Sequence, residues 1–160
     1  LSALLDWFET EGIELGSLGV YGPSYGGAVA LQLAGTDPRI ERVVAVAGFR
    51  SFPAINHALL ELPPLAIDGV VMVAGYEGGF DPTDASPEQH ITATHADVLL
   101  LYSRDDDIVP FAHGEAIARA CGERCRLVPM EGFDHLGALS NLIVRRELHQ
   151  HLAGVPYLGN

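Results

Sequence analysis

Apolar positions along the chain fall into two alternating kinds of run. Short continuous runs suit strands covered on both faces, and longer runs at helical spacing suit packed helices. Leu1, Leu4, Leu5 and Phe8 recur at helical spacing, with Trp7 beside them as a packing residue, and Gly12 is a natural stop. This predicts a helix over 1–12. A strand is predicted over 17–21 and a helix over 25–35, ended by Gly35 with the turn Thr36-Asp37-Pro38 beyond. Val43 to Ala47 reads as a buried strand, as does Val98 to Tyr102. A helix is predicted over 111–120, a last short strand over 126–129 and a final helix over 136–152. Strand and helix alternate throughout, which predicts an α/β architecture, a parallel sheet flanked by helices.

One long stretch breaks the alternation. Residues 49–97 hold a short helical pattern near His57, the breaker Pro63-Pro64, an apolar run from Val70 to Ala74 and a turn-rich tail through Asp81-Pro82. That is long for a simple crossover, and it predicts a small cap or lid insertion within a single domain spanning 1–160.

Composition narrows the classes. The chain has 160 residues, 48% of them hydrophobic, enough for one packed core. Nine Lys and Arg against 21 Asp and Glu give a net charge of −12, which disfavours nucleic acid and anionic membranes as partners. The apolar runs fall short of a membrane span of ~20 residues. Cys121 and Cys125 stand four apart, without a second pair for a zinc site. They read as buried or half-buried thiols of a reducing compartment, and a cytoplasmic location is expected. The six histidines 57, 90, 95, 113, 149 and 151 are expected to be solvated, with His57 and Tyr76 as candidates for the cap side of a pocket.

The chemistry concentrates in Gly22-Pro23-Ser24-Tyr25-Gly26, set between a predicted strand and a predicted helix. A serine at the apex of so sharp a turn needs a strained backbone and slim neighbours, a need that Gly22 and Gly26 would meet. The Tyr25 N–H would face the space where an oxyanion forms. In open α/β sheets functional groups gather past the carboxyl ends of strands. Three candidates fall there: Ser24, the cluster Asp105-Asp106-Asp107, and His135. A serine hydroxyl needs a base within hydrogen-bond reach, and the base needs an orienting carboxylate.

With these three motifs in this order, the chain resembles the C-terminal part of an α/β-hydrolase-fold serine hydrolase. Gly22-Pro23-Ser24-Tyr25-Gly26-Gly27 is similar to the nucleophile elbow of that family, Asp106-Asp107-Ile108-Val109-Pro110 to its acid loop, and Gly132-Phe133-Asp134-His135 to its histidine loop. The acid loop commonly carries its aspartate four residues before the proline, and the resemblance selects Asp106 on that ground. Tyr25 after the nucleophile resembles the prolyl-oligopeptidase-like and cocaine-esterase-like branches. The loops at Asp106 and His135 resemble dienelactone-hydrolase-like and serine-aminopeptidase-like groups.

The resemblance implies a catalytic triad of Ser24, His135 and Asp106, with Tyr25 in the oxyanion hole. It implies cleavage of a carboxylic ester or related acyl bond of a small-molecule substrate, without cofactor or metal; a peptidase or amidase, or a non-catalytic domain, are the alternatives. It also implies that the N-terminal strands, and a loop among them that supplies a second oxyanion donor, lie outside this sequence. The elbow strand would then be a sheet edge, and the chain would be part of a longer reading frame or be completed by another copy.

Overall fold

The computed structural model describes residues 1–154, and four strands form its centre: β1 (Leu18–Pro23), β2 (Ile40–Val46), β3 (Asp97–Ser103) and β4 (Cys125–Met130). All neighbours pair in parallel in the order β1-β2-β3-β4. The helices are α1 (Ser2–Thr10), α2 (Tyr25–Thr36), α3 (Phe52–Leu59), α4 (Pro64–Gly78), α5 (Pro87–His90), α6 (Phe111–Cys121), α7 (His135–Ser140) and α8 (Leu142–Ala153). The elbow strand β1 is an edge, as expected from the sequence.

Alternation along the strands divides the core. Val43, Ala45, Val98, Leu100 and Tyr102 point to the face covered by Leu31 of α2 and Ile117 of α6. Val44, Val46, Leu99 and Leu101 point to the opposite face, against Ala138 of α7 and Val144 of α8. Central β2 and β3 are therefore apolar without interruption, because water reaches neither face.

Several expectations need correction. The final helix is two: Asn141 accepts from the Val144 N–H as the cap of α8, and its amide donates to Gly137 O, 3.0 Å away. An asparagine that bonds its own backbone competes with helix continuation, and here it ends α7. Strand β2 stops at Val46 because Ala47 turns the chain at a positive φ of 49°. Trp7 is not a packing residue; it is 51% exposed, and α1 buries none of its residues. The apolar run Val70 to Ala74 lies in α4, where Val70, Met72 and Val73 face solvent.

The cysteines are not free thiols. Cys121 closes α6, Cys125 opens β4, and a 3-10 turn over 122–124 folds the chain back so that they form a disulfide, with Cα atoms 5.6 Å apart. Disulfides persist in oxidising compartments, so the cytoplasmic expectation loses the support it drew from these residues. Among the described residues no helix is long and apolar enough to cross a membrane.

His113 is likewise not solvated. It is buried, and its Nδ1 accepts the Arg50 N–H at 3.1 Å. Burial, with the Arg50 charge adding to it, lowers its pKa from 6.5. The unfolded chain therefore takes up a proton that folded His113 resists, so this residue makes stability fall as pH drops below about 6.5. Replacing it, as in His113→Asn, is expected to flatten the slope of unfolding free energy between neutral pH and pH ~5. Urea titrations at a series of pH values measure that slope. A second buried contact fixes the same segment: Tyr102 Oη donates to Gly48 O at 2.6 Å. Tyr102→Phe leaves that carbonyl unpaired and is expected to cost about 1–3 kcal/mol, read from the shift in urea midpoint.

Candidate active site

Ser24 occupies the turn between β1 and α2 with φ 52° and ψ −121°, a backbone conformation that non-glycine residues rarely adopt. Its N–H donates to Val46 O at 2.7 Å, which ties the turn to the end of β2. Gly22 is required there: a Cβ on it would lie 2.0 Å from Gly26 O. Gly26 departs from expectation, since its Cβ would meet only Pro23 Cδ at 3.4 Å, an ordinary contact. A close approach falls one residue later, where a Cβ on Gly27 would meet Gly22 O at 3.0 Å and Gly48 Cα at 3.2 Å. Slimness is thus needed at Gly22, within the elbow itself, and at Gly27, where α2 also passes Gly48 just beyond β2. Tyr25 opens α2, in the first turn where N–H groups have no intrahelical acceptor. Its ring is 60% exposed and stands edge-on to Phe49, with centroids 5.2 Å apart.

Asp106 and His135 arrive from the ends of β3 and β4. Asp106 Oδ1 accepts from the Ile108 N–H at 2.9 Å and the Val109 N–H at 2.7 Å, which fixes the carboxylate. His135 Nδ1 lies 2.8 Å from Asp106 Oδ2, and its Nε2 lies 3.0 Å from Ser24 Oγ. An ionised carboxylate only accepts, so the imidazole proton belongs on Nδ1, and Nε2 is left to accept from the serine hydroxyl. Both side chains are withdrawn from water, Asp106 at 1% and His135 at 10% exposure. The three residues singled out in the sequence are brought together, though His135 and Ser24 stand 111 positions apart.

The other two aspartates of the cluster do not touch the imidazole, but they are not idle turn residues. Asp105 Oδ2 accepts from the Gly132 N–H at 2.6 Å, and Asp107 Oδ1 accepts from the His135 N–H at 3.3 Å. Ser103 Oγ donates to Phe133 O at 2.6 Å, and the Arg104 N–H donates to Met130 O at 2.9 Å. Side by side, these bonds tie the histidine loop to the acid loop. Asp134 caps α7 through the Gly137 N–H. His57 pairs with Asp68, and Tyr76 is 85% exposed; neither lines the cleft at Ser24.

That cleft has a volume of about 200 Å³ and runs from Ser24 and Tyr25 along Phe49, α3 and the Ile108-Val109 segment. Sequence reasoning missed α3 as its wall, because only the folded chain shows which side of the short helix faces the serine.

The backbone has counterparts among solved structures. A puromycin-hydrolyzing peptidase of Mycobacterium tuberculosis is 23% identical and superposes with a TM-score of 0.71 over 95% of this chain. An esterase domain of a Rhodothermus marinus protein is 18% identical, with a TM-score of 0.65 over 96%. The acylaminoacyl peptidase of Pyrococcus horikoshii is 12% identical, with a TM-score of 0.68 over 94%. This is the α/β-hydrolase fold. The chain spans 23%, 65% and 26% of the lengths of those three chains, so it corresponds to part of each. No family model matches the sequence, and no curated protein does.

The geometry of the elbow makes a contrast that can be measured. Gly22→Ala drives a Cβ into the backbone of α2 and is expected to abolish soluble folded protein or lower its melting temperature sharply. Gly26→Ala has room and replaces glycine in a helix, so it is expected to leave stability unchanged or raise it by about 0.4–1 kcal/mol. Thermal melts of the two variants beside the parent decide between them.

Proposed function

We propose that this α/β-hydrolase chain carries the catalytic centre of a serine hydrolase that cleaves a carboxylic ester or related acyl bond through an acyl-enzyme. The observation that carries this reading is the hydrogen-bonded line from Asp106 through His135 to Ser24. Ser24 Oγ attacks the acyl carbonyl carbon while His135 Nε2 takes its proton. The tetrahedral oxyanion is met by the Tyr25 N–H, and Asp106 stabilises the imidazolium. Collapse expels the alcohol or amine, which receives the proton from His135, and leaves the acyl group on Ser24. Water, deprotonated by His135, then attacks the ester and restores the hydroxyl.

Asp105 and Asp107 act as positioning residues in this scheme. They hold the backbone that carries the imidazole, and they take no proton. Within segment 49–97, α3 and α4 serve as the cap, with α3 beside the serine and α4 outward, whereas Ile91 and Ala96 belong to the core that packs on α2. A peptide or amide bond is the second reading, favoured by the two neighbours named as peptidases. It differs only in the leaving group, so matched p-nitrophenyl esters and p-nitroanilides separate the two.

A fluorophosphonate probe tests the nucleophile directly. Labelling at Ser24 is expected, with none in Ser24→Ala and a loss of labelling rate of at least about 10³-fold in His135→Ala. Asp105→Ala and Asp107→Ala are expected to slow labelling about 10–100-fold while leaving the labelled residue unchanged. Absence of labelling in a folded parent protein would leave a non-catalytic domain as the better account.

A further inference from the structure

The walls of the cleft at Ser24 bear on which acyl group it takes. Its lining residues are Ser24, Tyr25, Phe49, Phe52, Ile55, Asn56, Leu59, Ile108 and Val109, of which none is charged. Phe49, Ile55 and Val109 are buried, so the floor is apolar. Asn56 is the one amide among them, and its Nδ2 already donates to Phe52 O at 2.8 Å. Among the described residues, the lining therefore offers no ionic partner for a substrate carboxylate or ammonium.

The walls are also fixed. Ser51 Oγ accepts from the Ala54 N–H at the start of α3, and the Phe52 N–H donates to Ala85 O at 2.8 Å. The Arg50 N–H is held by His113, next to Phe49. A volume of about 200 Å³ is below the ~300–1,000 Å³ of pockets that enclose a whole drug-sized ligand. It suits one fragment of a substrate: a short aliphatic chain or a single ring.

We infer that this cleft is the acyl-group site and that it selects neutral, apolar acyl groups of short to medium length or a single aromatic ring, rejecting acyl groups that end in a charge. The inference rests on Ser24 being the acylated residue. A charged terminus would lose its water in the cleft and gain no partner, which is the costly case for an ion. The −12 net charge of the chain adds repulsion against anionic substrates as they approach. Leu59 stands at the mouth, 47% exposed, and Ile55 lies deeper. Charge selection is therefore adjustable at Leu59 and depth at Ile55.

The test uses p-nitrophenyl esters of acetate, butyrate, hexanoate, laurate, benzoate and monosuccinate, with fluorophosphonate labelling run in parallel on the same preparations. Butyrate, hexanoate and benzoate are expected to give the highest kcat/KM. Monosuccinate, similar to butyrate in length but anionic, is expected to fall at least about 100-fold below it. Leu59→Arg places a cation at the exposed rim and is expected to raise the monosuccinate-to-butyrate ratio at least about tenfold. Ile55→Ala is expected to move the optimum toward longer chains. A protein that labels at Ser24 yet turns over monosuccinate as well as butyrate, prefers laurate, or ignores both substitutions overturns the acyl-site assignment and leaves the nucleophile intact. Failure to label at all overturns the underlying hydrolase reading instead.

Discussion

The contact of His135 with both Ser24 and Asp106 closes the carboxyl edge of this sheet. Ser24 follows the first strand, Asp106 the third and His135 the fourth, so the loops after three strands converge on one imidazole. Parallel pairing makes that possible, since it delivers every strand's carboxyl end to the same side. The pairing in turn depends on β2 and β3, whose uninterrupted apolar residues need cover on both faces. Helices on both faces, and functional loops at one end, are two consequences of one requirement.

Holding an imidazole between two partners demands more than the partners themselves. The acid loop supplies Asp106 to the ring and Asp105 and Asp107 to the backbone on either side of it. Asp106 is in turn fixed by two backbone N–H groups of its own loop. The histidine is thereby held by ring and main chain. At the serine, the corresponding constraint is steric. A positive φ at Ser24 and a glycine at 22 let α2 start directly over the end of β1.

Much of this was legible in the sequence because it is written locally. A run such as Val43 to Val46 is apolar on both faces wherever it sits, and Gly-x-Ser-x-Gly between a strand and a helix specifies its own turn. Asp106 stood out from its neighbours only through the resemblance to a known loop. Local signals misled where a residue's fate rests on a distant partner. His113 looked like a solvated histidine, but folding buries it and sets its Nδ1 against the Arg50 N–H. Trp7 looked like core and is half exposed. Cys121 and Cys125 looked like free thiols because spacing alone does not reveal a turn that folds α6 back onto β4.

By itself, then, the sequence determined the alternation of strands and helices, the strained serine and the chain order of Ser24, Asp106 and His135 at the ends of separate strands, all set by periodicity and turn chemistry within a few residues. Tertiary structure alone decided what Asp105 and Asp107 hold, and which face of α3 shapes the cleft. Each of those depends on contacts between segments far apart in the chain, and a linear pattern carries no information about which distant surfaces will meet.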